Sequence, residues 1–361
     1  MRSTSRLGRT GIEVPTCGFG GIPIGRDHID DEQAADILRR AIDSGLLLID
    51  TFCNYGRSEI RIGMALKGRR EQVTLVTKAR SAYEPDAFEE MVELSLKNLD
   101  VECIDVLLLK NVDNDACVER VERLVGVVDK MREQGKIRFT GLSAHSPQHA
   151  KAALETGLLD VAEVPYNYAN RGFESVLDLA AERELGVLTM KPLGGGRLFG
   201  EAEKGSPATL DTLVDALSFA RSHPAQPVLI PGIGTHAELD RYLEAIPKLR
   251  ELNAEEKEAL AQSALELGEH FCRGCGYCAA VCPAELPIDK ILPLADRAQH
   301  VRTDNTYKAL LKKEFATLDV DLESCQQCRK CVDECPFDLA VPERLQEAFE
   351  LLRPKQRGTA K

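Results

Sequence analysis

The stretch CIDVLLLKNVD, residues 103–113, is typical of a buried β-strand that runs into a polar turn. Its apolar run, from Ile104 to Leu109, has the length of one strand and is bounded by polar residues. Lys110 stands at the exit of this strand. A lysine in that place is either a solvated loop residue or a group directed into a pocket, so its surroundings decide its meaning.

Short apolar runs of the same kind alternate with amphipathic helical segments from about residue 14 to residue 250. Strands that are each followed by a helix are the pattern of a TIM (β/α)8 barrel, and an open doubly wound sheet is the competing interpretation. The G-x-G-x-x-G turn that usually follows the first strand of a doubly wound sheet is absent, which favours the barrel. The predicted strands are CGFG (17–20), LLLID (46–50), VTLVT (73–77), IDVLLL (104–109), IRFTGL (137–142), VAEVP (161–165), GVLTM (186–190) and PVLIP (227–231).

The composition argues against several classes of protein. Hydrophobic residues make up 43% and charged residues 29%, and no apolar run approaches the roughly 20 residues of a membrane span. The first residues, MRSTSRLGRTG, lack the apolar core of a secretory signal, so we expect a cytoplasmic protein without membrane insertion. The net charge of −12 argues against nucleic acid as a partner, because phosphate binding needs a basic face.

Eight of the 12 cysteines form two copies of C-x2-C-x2-C-x3-C-P between residues 272 and 335. This spacing is typical of 4Fe-4S clusters, in which the fourth cysteine, followed by proline, reaches across to the other cluster. We therefore expect two 4Fe-4S clusters, with zinc or disulfides as alternatives. One cluster would be held by Cys272, Cys275, Cys278 and Cys335, and the other by Cys282, Cys325, Cys328 and Cys331.

The boundary between the two parts of the chain is placed at the segment NAEEKEALAQSALEL, residues 253–267, which predicts a helix capped by Asn253. We expect the barrel in residues 1–252 and a mainly α-helical dicluster domain in residues 253–361. The stretch between the two cysteine motifs has a helical pattern, so this domain resembles the α-helical ferredoxins of larger oxidoreductases. Two adjacent clusters can relay single electrons over a short distance.

The barrel region resembles the aldo-keto reductases, and in particular a subgroup with a C-terminal ferredoxin module. The resemblance is carried by RLGRTGIEVPTCGFGG (6–21), DTFCNYGRSE (50–59), LVTKAR (75–80) and MKPLGGGRL (190–198). It implies reduction of a carbonyl with NADPH by an Asp–Tyr–Lys–His tetrad. Asp50, Tyr55 and Lys78 match three members of the tetrad, and Lys110 stands where the family has its histidine.

The residue types at these positions suit proton transfer. A phenol is a poor acid at neutral pH, a neighbouring lysine lowers its pKa, and a carboxylate holds that lysine in place. Tyr55 would then protonate the carbonyl oxygen. With Lys110 as a second cation, we expect Tyr55 to shift toward phenolate and the site to favour an anionic substrate. The alternatives are that a deprotonated Lys110 replaces the imidazole, or that it is a solvated loop residue.

Several positions that bind the nicotinamide cofactor in the family differ here. Ala144 and Glu163 replace an Asn and a Gln, Met190 replaces a stacking aromatic ring, and Glu238 lies where cations meet the 2′-phosphate. These differences argue against NADPH, although the glycines before the last helix could cradle a phosphate through backbone N–H groups. The remaining candidates are Ser143, Lys191, Gly194 and Gly232 for a cofactor, and His145 and Asn167 for the substrate.

Together these observations predict an oxidoreductase that acts on a small carbonyl or alcohol, with two 4Fe-4S clusters that carry electrons and exchange them with a redox partner protein. Two alternatives remain. In the first, the chain is a conventional NAD(P)H-dependent carbonyl reductase whose clusters are structural. In the second, it is a non-catalytic electron-transfer or docking protein.

Overall fold

The computed structural model describes residues 4–27, 29–194, 210–268, 272, 277–300, 305–318, 320–321, 324–335 and 339–352 of the 361. The chain divides into two compact units, and within the described residues the first ends at Lys257 and the second begins at Glu258. Among the helices in these ranges, none is both long and apolar enough to cross a membrane.

The first unit is an eight-stranded parallel barrel preceded by a hairpin of β1 (Thr4–Arg6) and β2 (Glu13–Pro15). Each barrel strand pairs with the next along the chain. Isolated bridges between Cys17 and Leu229 and between Gly20 and Gly232 join the first strand to the last, so the predicted barrel is confirmed. The strands are β3 (Phe19–Gly20), β4 (Leu48–Asp50), β5 (Thr74–Arg80), β6 (Ile104–Lys110), β7 (Ile137–Ser143), β8 (Val161–Pro165), β9 (Gly186–Met190) and β10 (Val228–Ile230).

A helix follows each barrel strand and covers its outer face. Asp30 begins the first of these helices by accepting a hydrogen bond from the backbone N–H of Gln33, which satisfies an N–H that has no partner within the helix. The helices are α1 (Asp31–Asp43), α2 (Ser58–Leu66), α3 (Pro85–Leu99), α4 (Asp115–Glu133), α5 (Pro147–Glu155), α6 (Glu174–Glu182), α7 (Leu210–Arg221) and α8 (His236–Ala245).

Strand β6 shows why the apolar runs of this chain are continuous. Ile104 to Leu109 are all fully buried, because the strand has the barrel interior on one face and helices on the other. Val106 and Leu108 pack in the interior with Val76 and Leu188. Burial falls only at Lys110, the last residue of the strand.

Strand β5 is longer than its apolar run. The sequence ends the predicted strand at residue 77, but β5 continues to Arg80 because it pairs with β6 as far as Lys110. Lys78 therefore lies inside a strand, opposite Leu108, and only 1% of it is exposed. The prediction that Lys78 follows the strand is therefore wrong, because the strand ends three residues beyond its apolar run.

The second unit is helical, as predicted. Its helices are α10 (Tyr277–Ala280), α11 (Ile288–His300), α12 (Asn305–Ala316), α13 (Lys330–Asp333) and α14 (Val341–Leu352), and α9 (Ala254–Gly268) spans the division between the units. Leu292 of α11 and Leu345 of α14 are part of its apolar core. Buried Asp296 pairs with Arg344 and accepts the backbone N–H of Cys272 at 2.8 Å, so it ties α11, α14 and the first cysteine motif together.

Candidate active site

Four ionisable side chains meet at the carboxyl end of the barrel. Asp50 and Lys110 are the last residues of β4 and β6, and Lys78 and Glu163 each lie two residues before the end of their strand. In a closed parallel barrel, the carboxyl ends of all strands lie on the same face, which is where TIM barrels carry their active sites. The fold thus brings Asp50, Lys78 and Lys110 together, as the sequence predicts, and adds Glu163.

The Lys78 ammonium is the centre of this group. Its Nζ donates to the Asp50 carboxylate and to the Thr51 carbonyl oxygen at 3.0 Å, and it lies 3.3 Å from Glu163 Oε1. Burial lowers the pKa of Lys78, but the Asp50 and Glu163 carboxylates outweigh burial and raise it overall. Lys78 is therefore a permanent cation that acts through the groups around it.

The two carboxylates share one ammonium, and they differ in proton affinity. Burial raises the pKa of Asp50, and the nearby Glu163 carboxylate raises it further. Burial also raises the pKa of Glu163, but Lys78 and Lys110 outweigh burial and hold it below its ordinary value. Asp50 is consequently the carboxylate that accepts a proton more readily, and Glu163 carries the charge.

Tyr55 lies on the loop between β4 and α2, partly buried above Lys78. The centroid of its ring is 5.8 Å from Lys78 Nζ and 5.8 Å from Lys110 Nζ. Burial raises the pKa of Tyr55; Lys78 opposes this shift, while Asp50 and Glu163 add to it, and the result is a raised pKa. The expectation that two lysines favour the phenolate is therefore wrong, because burial and the carboxylates outweigh the cations. The phenol stays neutral.

Lys110 is not a solvated loop residue. Its Nζ lies 5.2 Å from the centroid of the Phe52 ring, and its ammonium makes no hydrogen bond or ion pair with any residue that the structure describes. Burial lowers the pKa of Lys110, and the Lys78 cation lowers it further. Lys110 therefore presents a partly buried ammonium whose proton is held less tightly than that of an ordinary lysine.

The two predicted substrate contacts both have structural partners. The backbone N–H of His145 donates to Asp113 Oδ1 at 2.5 Å, its Nδ1 lies 3.7 Å from Asp113 Oδ2, and burial lowers its pKa. Asn167 donates from Nδ2 to the Lys191 carbonyl at 2.9 Å and accepts the Ala169 N–H. Neither role in substrate binding is tested by these contacts, and both stay predictions.

Two buried side-chain oxygens, on Ser143 and Glu163, lie on neighbouring strands of the site. Ser143 Oγ and Glu163 Oε2 are buried and have no hydrogen bond of normal geometry within the described residues, and the two residues are register partners in β7 and β8. A carboxamide offers an N–H to a carboxylate and a carbonyl to a hydroxyl, so these two oxygens fit one. Ala144 is buried and contributes no polar side chain there.

The other predicted cofactor contacts lie on nearby loops. Lys191 directly follows β9 in a left-handed conformation, with φ of 53°, and Gly194 closes the turn by donating to the Lys191 carbonyl at 2.9 Å. Gly232 follows β10. In the loop after it, the backbone N–H groups of Gly234 and Thr235 donate to the side chain of Glu238, and a phosphate cradle in this loop stays a prediction.

The cysteines divide between two places in the second unit. Cys282, Cys325, Cys328 and Cys331 line one cavity of about 340 Å³, a volume that includes adjoining solvent. Cys272, Cys278 and Cys335 are buried in the core, and Cys275 lies outside the described residues. No three of the described His, Cys, Asp and Glu side chains are placed to hold a single metal ion. A cubane separates its thiolates more widely than one ion does, and the two ligand sets stay predictions.

Sequence reasoning missed two residues of the barrel site and misjudged a third. Phe52, in the DTFCNYGRSE motif, is not predicted as a contact of Lys110. Asp113, in the turn after β6, is not predicted as a partner of His145. Glu163 was considered only as a lost amide, whereas it is the second carboxylate on Lys78. The alternation of side chains along VAEVP places Glu163 on one face with Val161, which packs in the barrel interior, and this signal could have identified it.

Comparisons with known proteins agree with both units. A model of the aldo/keto reductase family matches residues 16–266, and a model of the 4Fe-4S dicluster domain matches residues 271–339. The NADH-specific methylglyoxal reductase of Escherichia coli (strain K12) is 28% identical over 222 residues, which cover 54% of this chain and 68% of that protein. The aldo-keto reductase YhdN of Bacillus subtilis (strain 168) is 32% identical over 219 residues, which cover 56% of this chain and 65% of that protein.

The fold has close counterparts among solved structures. The aldo/keto reductase from Klebsiella pneumoniae, solved in complex with NADP and acetate, superposes with a TM-score of 0.60 at 23% identity and covers 73% of this chain and 95% of that one. The chain spans only about three fifths to two thirds of the length of the curated relatives it matches. From its barrel, its site and the match over residues 16–266, the chain belongs to the aldo/keto reductase family, with a 4Fe-4S dicluster domain C-terminal to the barrel in sequence.

Proposed function

We propose that this chain is an oxidoreductase that interconverts a small carbonyl compound and its alcohol at the carboxyl end of the barrel. The observation that carries this proposal is the buried Lys78, held between two carboxylates beside a neutral phenol and an ammonium with no anionic partner among the described residues. Such a group of residues can donate a proton to a carbonyl oxygen and can stabilise the negative charge that develops on that oxygen.

Reduction of the carbonyl requires two electrons and two protons. One C–H bond and one O–H bond form, and the π bond of the carbonyl breaks. We assign the proton for the oxygen to Lys110, because burial lowers the pKa of its ammonium while burial raises the pKa of the Tyr55 phenol. Tyr55 then orients the oxygen by a hydrogen bond, and Lys78 keeps Asp50 and Glu163 in place. In the direction of oxidation, Lys110 accepts the proton.

The substrate is best sought among small carbonyl compounds that carry an anionic group. The Lys110 ammonium has no anionic partner in the described site, so a carboxylate next to the carbonyl would neutralise it. Methylglyoxal, which the related Escherichia coli enzyme is named for, is the matched neutral compound to compare. We expect a 2-oxo acid to have the higher kcat/KM, and equal values for the two compounds would contradict an anionic substrate.

Two sources of electrons are supported by different features of the chain. The cysteine motifs support two 4Fe-4S clusters, which carry single electrons and exchange them with a redox partner protein. The buried oxygens of Ser143 and Glu163 support a nicotinamide, which supplies a hydride when bound. Anaerobic single-turnover experiments separate the two sources. Cluster oxidation in step with carbonyl loss supports the first, and turnover with nicotinamide while the cluster spectrum stays constant supports the second.

The exchange of Tyr55 for Phe tests the proposed site. Loss of the orienting hydroxyl should lower kcat/KM by about 100-fold or more, while the cluster absorption stays unchanged. A control is Tyr83→Phe, since Tyr83 is one of the exposed large side chains of the barrel. If Tyr55→Phe leaves turnover unchanged, Tyr55 does not orient the substrate. If Lys110→Met leaves turnover unchanged as well, the barrel does no chemistry, and the docking or electron-transfer alternative replaces this proposal.

A further inference from the structure

The beginning of α8 is capped by a side chain of the helix itself, that of Glu238. Glu238 Oε2 accepts the backbone N–H of Gly234 at 2.8 Å and that of Thr235 at 3.1 Å. Thr235 Oγ1 in turn accepts the backbone N–H of Glu238 at 3.1 Å. The two residues thus form a complete capping box, in which both partners satisfy each other's free groups.

This position is the one at which a TIM barrel often binds phosphate. The loops after the last strands and the N-terminus of a nearby helix supply free N–H groups, and the helix dipole favours an anion there. In this chain the N–H groups of Gly234 and Thr235 are already used, and the group that uses them is itself negative. A phosphate monoester at this place would face the Glu238 carboxylate instead of free N–H donors.

Two basic side chains close to this helix terminus are each engaged with an acidic group. Arg40 donates to Asp240, and His236 Nε2 lies 3.3 Å from Asp36, so each of these basic groups faces an acidic one. A Cβ added to Gly234 would lie 2.7 Å from Pro23 Cβ, which leaves no room for a basic side chain at that position of the loop.

We infer that Glu238 excludes a phosphate monoester from this end of the barrel, so that a dinucleotide bound here is NADH and not NADPH. The inference rests on the proposed use of a nicotinamide. Its physical basis is the self-capped helix terminus, in which a like charge both repels the 2′-phosphate and occupies the N–H groups that would bind it.

The test is anaerobic calorimetric titration of the full, cluster-loaded chain with NADH and with NADPH. We expect NADH to bind at least about tenfold more tightly, since a like charge at contact costs that much or more. Glu238→Gln keeps an oxygen for the capping box and removes the charge. It should raise the affinity for NADPH by about tenfold and change that for NADH by less than about twofold.

Glu244→Gln is the matched control, because Glu244 is exposed at the other end of the same helix and pairs only weakly with Lys248 at 3.1 Å. It should leave the ratio of the two affinities unchanged. Equal binding of NADPH and NADH by the unmodified chain overturns the inference, as does a ratio that Glu238→Gln does not move. Binding of neither nucleotide overturns the inference together with the proposed use of a nicotinamide. This outcome is told apart from the others because NADH then fails to bind as well.

Discussion

Strand β6 carries a buried or partly buried charged side chain near each of its two ends. The two side chains differ in whether the protein supplies hydrogen-bond and ion-pair partners for them. Near its start, Asp105 is 4% exposed and fully satisfied. Its Oδ2 accepts the Leu75 N–H at 2.8 Å and Arg70 Nη2 at 2.7 Å, and its Oδ1 accepts Arg138 Nη1 at 2.6 Å. At the other end, Lys110 has no such partner among the described residues.

The difference separates stability from function. A buried charge that is fully hydrogen-bonded, as at Asp105, needs no ligand, and removal of its partners costs stability. Charges that are left incomplete cost stability, and a fold retains them where a ligand completes them. We therefore expect substitutions at the Asp105 end to change stability alone, and substitutions at the Lys110 end to change activity first.

Loss of Lys78 should damage both stability and activity, and it has the largest expected effect. Lys78→Met leaves Asp50 and Glu163 buried without their shared cation, which should lower the free energy of unfolding by about 3–5 kcal/mol and abolish turnover. Urea unfolding followed by far-UV circular dichroism measures the first effect. An unfolding free energy within about 1 kcal/mol of the unmodified chain would mean that the carboxylates are not charged together.

Arg138→Met is the matched change at the opposite end. Arg138 is 53% exposed at its side chain, and Asp105 keeps Arg70 and the Leu75 N–H without it. The expected loss of stability is about 1 kcal/mol or less, with kcat/KM unchanged. A clear fall in kcat/KM from this variant would contradict the separation of the two ends.

The same substitution, Gly to Ala, can be compared at Gly25, which contacts the loop of the site, and at Gly126, which is exposed within a helix. A Cβ on Gly25 would lie 1.7 Å from the Tyr55 carbonyl oxygen, so the loop that carries Tyr55 has to move. We expect a loss of about 1–3 kcal/mol in stability together with a fall in kcat/KM. Gly126 lies exposed inside α4 with nothing near its Cβ, so Gly126→Ala should add about 1 kcal/mol and leave kcat/KM unchanged. Equal effects of the two variants would mean that Gly25 does not position Tyr55.

The pH dependence of the chain should report on Lys110 with a smaller effect. Its pKa in the folded protein lies below the ordinary value of 10.5, so between these two values the unfolded chain holds a proton that the folded protein has released. The free energy of unfolding should therefore rise with pH in this window, by at most about 1.4 kcal/mol per unit of the pKa difference, and turnover should decline there. Comparison with Lys110→Met isolates this contribution, because the variant lacks the group; identical pH profiles would contradict it.

Much of the fold was predictable because the barrel strands are buried on both faces. Runs such as IDVLLL and GVLTM stand out in the sequence for that reason, and all the predicted barrel strands are present. The end of β5 was not predictable, since Lys78 and Arg80 are held in the strand by pairing with β6. The hairpin of β1 and β2 was missed, because its strands are three residues long and mostly polar.

The residues of the barrel site were predictable and their electrostatics were not. The motif DTFCNYGRSE and the lysines at strand ends located Asp50, Tyr55, Lys78 and Lys110 on the chain. The partnership of Lys78 with Glu163 depends on closure of the barrel across β6 and β7, which no local pattern encodes. For the same reason the charge balance around Tyr55 was misjudged, since burial and two carboxylates outweigh the lysines that the sequence displayed.

The most direct test of the account is kcat/KM of the Lys110→Met variant for the preferred carbonyl substrate, with urea unfolding of the same cluster-loaded protein. Methionine keeps the length of the side chain and removes the ammonium. The account predicts a fall of about 100-fold in kcat/KM, as for the loss of one group that stabilises developing charge, with no loss of stability. Retained turnover, or a loss of stability without a loss of turnover, would show that Lys110 is a structural residue like those around Asp105.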